Sequence, residues 1–191
     1  FTIDKSGFLG YLNSYKKLRK KLSRNNYDIV HSHFVYTGIL SLFSKSKNER
    51  LLISFMGSDL FGYHNKEGKQ TLVGYLTKIS SAFLAIFSDK IVVKTKEMVS
   101  YIPDSRKQIT EVLPNGVSFD SFYPIDMAKC KKLLGLNPRK RFILFLGNPK
   151  NHRKGFGLLK EAFKMMDKDK YEILAPYPQK HKKLIYYYNA S

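Results

Sequence analysis

The 191 residues include no tryptophan and a single cysteine, and fifteen acidic side chains stand against thirty-four lysines and arginines. One cysteine, Cys130, excludes a disulfide within the chain. Its place among lysines in a helical stretch reads as inert packing, which fits a reducing cytoplasm. No run of eighteen apolar residues occurs, so no membrane-spanning helix is predicted. Phe1 to Gly10 lacks the charged segment and apolar block of a secretory leader. There is no initiator Met, and Ser191 falls inside an apparent Tyr-rich helix, so both ends read as cut. Proline and glycine are sparse, while hydrophobic residues make up 43% of the chain. That balance can bury a core and excludes a disordered composition.

The formal charge is +19. Such a chain attracts polyanions: nucleic acid, anionic lipid or phosphorylated substrates. The lysines are spread over the whole length, so charge alone singles out none of these.

Periodicity gives the organisation. Leu12, Tyr15, Leu18 and Leu22 mark one face of a helix over 11–26, and lysines cover much of the rest. Strands are predicted at 27–33, 51–55, 90–93, 111–113, 142–146 and 171–175. Helices are predicted at 37–43, 72–87, 96–101, 127–134, with Asp126 as its cap, and 156–166. Met56-Gly57-Ser58-Asp59 reads as a turn. Strands alternating with helices predict an α/β fold with parallel sheets and helical crossovers. The strands are short continuous apolar runs, as expected where both faces are covered. The stretch holding Pro114, Gly116, Pro124 and Pro138 marks a domain boundary near residue 125.

In open parallel sheets, ligands bind beyond the carboxyl ends of the strands. Four polar clusters fall there: His31 to His33, Gly57 to Asp59, Asn115-Gly116, and Gly147 to Gly155. The last joins a strand to a helix and carries His152, Arg153 and Lys154. Helix N-terminal amides beside lysine and arginine suit a diphosphate, although a solvated basic loop has the same composition. It is neither a Walker A loop nor a Gly-x-Gly-x-x-Gly turn, which removes the main support for kinase and dinucleotide readings. His31 and His33 project to the same side of a strand and open a rival reading, a metal-dependent hydrolase. The further ligands that such a site needs are not evident in the sequence. A third reading, a basic nucleic-acid-binding protein, has the charge but no matching motif.

Taken in order, the clusters resemble glycosyltransferase family 4. Asp28-Ile29-Val30-His31-Ser32-His33 is similar to its DIVHxH strand, and Phe55 to Leu60 to its His-Gly-x-Asp loop. Ser88 to Val93 is similar to the strand that opens on an aspartate. Val112-Leu113-Pro114-Asn115-Gly116-Val117, followed by Phe122-Tyr123-Pro124, is similar to vxPNGVDxxxFxP and is the most specific piece. Phe142 to Gly147 with Arg153-Lys154-Gly155 resembles the first strand and phosphate loop of the donor domain. Three departures stand out: Met56 for the loop histidine, Asn148 for the arginine that usually follows Gly147, and Ser118 for an aspartate.

The resemblance implies two Rossmann-like domains of GT-B type. They are residues 1–124 on the acceptor side, without the first strand, and 125–191 as the start of the nucleotide-sugar donor domain. It implies retaining sugar transfer from a UDP- or GDP-sugar to a glycan or polyprenyl-linked acceptor, with no required cofactor or metal and no nucleic acid as partner. Cell-envelope or capsular polysaccharide synthesis is the expected setting. Asp59, Gly57 and His33 are the expected catalytic residues, with His31 also near the acceptor. Lys154, Arg153, Gly147, Asn148, Asn115 and Gly116 are the expected donor-binding residues. A cytoplasmic enzyme touching anionic membrane through the basic helix 11–26 is expected. The family's Glu-x7-Glu element is expected after Ser191, so these residues alone are expected to be inactive.

Overall fold

The computed structural model describes residues 1–3 and 8–191. The chain forms two compact units, Phe1–Asn115 and Gly116–Ser191.

In the first unit, α1 (Phe8–Arg24) leads into β1 (Ile29–His33), α2 (Val35–Ser44) and β2 (Arg50–Ser54). A one-turn helix α3 (Ser58–Phe61) and the longer α4 (Leu72–Ile86) precede β3 (Lys90–Val93). The short α5 (Lys96–Val99) and a 3-10 segment, Asp104–Ile109, complete the path to β4 (Thr110–Val112). The four strands pair in parallel in the order β1-β2-β3-β4. Right-handed crossovers between neighbours taken in chain order put α2 and α4 on the same face of the sheet. There Tyr36 Oη meets Thr77 Oγ1 at 2.7 Å. Of the apolar stripe expected on α1, Leu18 is buried; the side chain of Leu12 lies outside the described residues.

Register puts Val30, Leu51, Ile53, Ile91 and Val93 on that covered face, where they form the core with Val35, Leu84 and Ala85. The expectation that every strand is covered on both faces does not hold. β1 alternates, with Ile29 at 57% exposure beside Val30 at 8%. β4 exposes Glu111 and Val112. These are the outer strands of the described sheet, whereas β3, inside it, is buried at Ile91, Val92 and Val93. A continuous apolar run does not distinguish an inner strand from an outer one.

The second unit runs α6 (Met127–Leu133), β5 (Arg141–Leu144), a 3-10 turn His152–Lys154, α7 (Phe156–Phe163), β6 (Tyr171–Leu174) and α8 (His181–Asn189). β5 and β6 pair in parallel. Asp126 caps α6 as expected, its Oδ1 accepting from Lys129 N at 2.8 Å. Cys130 is buried, and that burial pushes its thiol pKa up, which suits packing rather than reactivity.

The units divide at Asn115/Gly116, nine residues before the boundary expected at 124/125. The connecting segment is tied to α8. Asn189 Oδ1 accepts from Ile125 N at 2.8 Å, and its Nδ2 donates to Tyr123 O at 3.1 Å. The Phe122 ring stands edge-on to His181 and Tyr188. Those pairings join residues more than fifty positions apart, so the turn residues used to place the boundary carry no sign of them.

One close approach yields a stability prediction. A Cβ on Gly74 in α4 would lie 2.4 Å from both Tyr63 N and Tyr63 O. Helix propensity alone favours alanine by about 1 kcal/mol, but forcing a carbon into backbone costs about 1–3 kcal/mol or more. Gly74→Ala is therefore expected to lower the urea midpoint, by up to about 2 kcal/mol in stability; a raised midpoint would contradict the packing described.

Candidate functional site

The carboxyl ends of β1, β2 and β3 carry the polar groups of the first unit. On β1, His31 and His33 are two residues apart and share a face, with ring centroids 4.4 Å apart. His31 Nε2 is 2.8 Å from Ser54 Oγ at the end of β2. The His31 pKa is lowered, first by burial and then by the charges of His33 and Lys94, the residue that follows β3. A hollow of about 860 Å³ beside β1 is lined by His31, His33, Thr37 and Tyr11, among others. Among the described residues, no third His, Cys, Asp or Glu joins the pair in a cluster that could hold a metal ion.

Directly after His33 the backbone does something that the sequence does not announce. Phe34 has φ 77° and ψ 146°, a region that glycine occupies readily and other residues enter at about 1–3 kcal/mol. Phe34 N donates to Ser54 O at 2.9 Å, and its ring packs edge-on to Tyr36. Thr37 Oγ1 donates to the carbonyls of both His33 and Phe34. This strained corner turns the strand into α2 immediately beyond the histidine pair.

The loop after β2 is organised around Asp59. Its side chain is fully buried, and Oδ1 accepts from Met56 N at 2.9 Å and Gly57 N at 2.8 Å. Oδ2 accepts from Met56 N at 3.1 Å. Burial raises the Asp59 pKa, while the backbone N–H groups pull the other way. Gly57 sits at φ 113°, where a Cβ would meet nothing closer than the Phe61 ring at 3.7 Å, so backbone conformation rather than space calls for glycine. From α4, Ser81 Oγ donates to Asp59 O at 2.8 Å. The carboxylate thus faces the loop's own amides, while Met56, in the histidine's place, is 44% exposed.

In the second unit, the loop after β5 lines a hollow of about 570 Å³ with Gly147, Asn148, Asn151, Lys154 and Tyr177. A Cβ on Gly147 would lie 3.0 Å from the Cβ and Cγ of Lys154. The bare glycine therefore lets the lysine stem lie against the start of the loop. Asn148 Oδ1 accepts from Lys150 N, and Asn151 Oδ1 accepts from Arg153 N. Gly155 takes the left-handed conformation, φ 75°, and opens α7 without a side-chain cap. The N-terminal amides of α7 are free of such a cap, as an anion site needs.

Gly147, Asn148 and Lys154 thus come together, whereas Arg153 is exposed and does not line the hollow. Asn115 and Gly116 lie exposed where one unit passes into the next in sequence. The sequence reading missed Tyr177, which reaches the hollow from beyond β6, and also Ser54, Lys94 and Phe34. Only Ser54 and Lys94 carried any signal, as polar residues closing apolar strands.

The comparisons with known proteins agree with this layout. The model of Glycosyltransferase Family 4 matches residues 2–121. D-inositol 3-phosphate glycosyltransferase of Mycobacterium sp. (strain JLS) is 25% identical over 151 residues, which is 74% of this chain and 33% of that protein. Sucrose-phosphate synthase from Thermosynechococcus elongatus superposes with TM-score 0.66 at 14% identity, over 100% of this chain and 55% of that one. S. aureus MnaA, in a co-structure with UDP, gives TM-score 0.54 at 12% identity, over 97% of this chain and 57% of that one. These structures establish the fold, a GT-B-type α/β architecture. The chain spans about a third of the curated relative and little more than half of the two solved ones.

Two outcomes follow from the geometry. Asp59→Asn keeps an oxygen for Met56 N and Gly57 N but turns an NH2 toward Met56 N, from which Oδ2 accepts at 3.1 Å. It is expected to cost about 1–3 kcal/mol, read as a fall in the urea midpoint; an unchanged midpoint would mean that the loop stands without the carboxylate. For His31, the folded pKa lies below the unfolded value of about 6.5, so the native state resists protonation. Its contribution to stability is complete above that value and is lost as pH falls through the depressed folded pKa. Urea midpoints measured from about pH 7.5 downward are expected to decline in acid, and less steeply in His31→Gln. Equal slopes would remove His31 from the account.

Proposed function

The chain belongs to glycosyltransferase family 4, and from that premise we propose that it takes part in moving a sugar from a nucleotide-sugar donor to a glycan or polyprenyl-linked saccharide. The observation that carries this reading is Lys154 lying along Gly147 at the carboxyl end of β5, one residue before the turn that opens α7. A lysine lining the hollow, with the uncapped N-terminus of α7 following it in the chain, suits the diphosphate of UDP or GDP. Negative charge grows on the bridging oxygen as the sugar leaves, and a cation already in place there lowers the barrier. Asn148 supports the reading as a loop organiser rather than as a charge, and Arg153 as an exposed second cation next to Lys154 in the chain.

On the acceptor side, His33 and the Gly57 backbone are the groups proposed to meet the sugar and the acceptor. Asp59 is proposed as a positioning residue that holds Gly57 in place. The transfer is proposed to proceed with retention and without a required metal, in cell-envelope or capsular polysaccharide synthesis at the cytoplasmic face of the membrane.

Titration of the full-length protein with UDP and GDP tests the donor site. Lys154→Ala is expected to weaken the better nucleotide about ten- to hundredfold, with Lys154→Arg recovering part of the loss. Undiminished binding in Lys154→Ala would place the diphosphate elsewhere. Product anomeric configuration, read by proton NMR, tests retention.

A further inference from the structure

A chain of side-chain contacts at the carboxyl ends of β1 and β2 runs from Ser54 through His31 and ends on His33. His33 pairs with Ser54 across the two strands and His31 with Leu52, so Ser54 shares the face on which both histidines stand. Ser54 closes β2 and is buried, at 2% exposure. Its Oγ is therefore a fixed point. It lies 2.8 Å from His31 Nε2, two positions back along the neighbouring strand. The His31 ring in turn lies against that of His33, with centroids 4.4 Å apart and planes inclined by 40°.

The same serine holds the backbone that follows. Ser54 O accepts from Phe34 N at 2.9 Å, and Thr37 Oγ1 donates to His33 O. These bonds secure the turn at Phe34, whose φ of 77° is one that a residue with a side chain seldom adopts. His33 is thus held at its carbonyl, flanked by a fixed neighbour in the chain, and touched on its ring. Both the Phe34 bond and the ring contact trace to Ser54.

We propose that Ser54 and His31 are positioning residues, which set the His33 ring for the transfer; their role rests on the reading that His33 meets the sugar and the acceptor. An imidazole on a strand otherwise turns among its χ1 wells and over a broad χ2. A ring already set loses less freedom when it meets a ligand, and a misplacement of about 1 Å costs up to about a hundredfold in rate. Ser54 Oγ pins one end of the His31 ring, and that ring walls one side of His33. Burial and the charges of His33 and Lys94 disfavour a cationic His31. The wall is then a neutral ring, which sets no second cation against His33. All of these atoms belong to the first unit and touch one another, so the contacts hold whatever else lies over them.

The ring contacts are tested without any substrate. In full-length protein with labelled histidine rings, NMR signals assigned through single His→Gln variants report His33 directly. One sharp set is expected in the parent. Ser54→Ala removes the pin and leaves the His31 ring, and is expected to shift and broaden the His33 signals. His31→Ala removes both and is expected to do so more strongly, while Ser54→Thr keeps the hydroxyl and is expected to restore the parent spectrum. A contact that served stability alone would lower the urea midpoint and leave the His33 signals unchanged; that result would overturn the proposal. Nucleotide release from UDP-glucose or GDP-mannose separates it from the reading beneath it. Ser54→Ala is expected to lower kcat about ten- to hundredfold with KM little changed. Full kcat in Ser54→Ala beside a loss in His33→Ala would sink the positioning role and spare His33. Full kcat in His33→Ala would remove both.

Discussion

The carboxylate of Asp59 is buried inside the loop that follows β2, and that loop is arranged around it. An ionised group taken out of water costs several kcal/mol unless hydrogen bonds replace its hydration. Here the replacement comes from Met56 and Gly57 N–H groups, in a loop where Gly57 adopts a positive φ. Carboxylate, glycine and loop conformation therefore stand or fall together. Ser81 extends the constraint to α4 through the Asp59 carbonyl, and α4 is seated on the sheet by Leu84 and Ala85. The loop is thereby fixed by the core, rather than left to its own flexibility.

The same helix explains an apparent waste of apolar residues. The inward face of α4 is occupied by groups that must approach closely or hydrogen-bond: Gly74 against Tyr63, Thr77 to Tyr36, and Ser81 to the loop. Small polar residues inside leave large apolar ones, Leu76, Ile79 and Phe83 among them, on the opposite face of the helix.

Much of this was legible in the sequence. The alternation of apolar runs gave the α/β class, and the order of polar clusters at strand ends gave the candidate site. The Asp126 cap and the inert Cys130 were readable because a cap and a packed thiol are local matters. Asp59 was legible as a candidate but not in its orientation. An aspartate at a strand end looks the same whether it faces a ligand or its own loop, and only burial separates the two. The helix over 72–87 was recognised from its apolar content, yet the direction of its apolar face was not, because Thr77 and Ser81 find partners far away in the chain.

What the amino-acid sequence determined by itself is what depends on neighbours a few residues apart: periodicity, caps, turns, and the glycine positions 57, 147 and 155 that the loops require. The tertiary structure alone decided which groups meet. It brought His31 to Ser54, Tyr177 to the hollow of Lys154, residues 122–125 to α8, and Phe34 into a conformation that its own side chain disfavours. Such contacts are set by sheet register and packing between distant segments, and no window of sequence contains both partners.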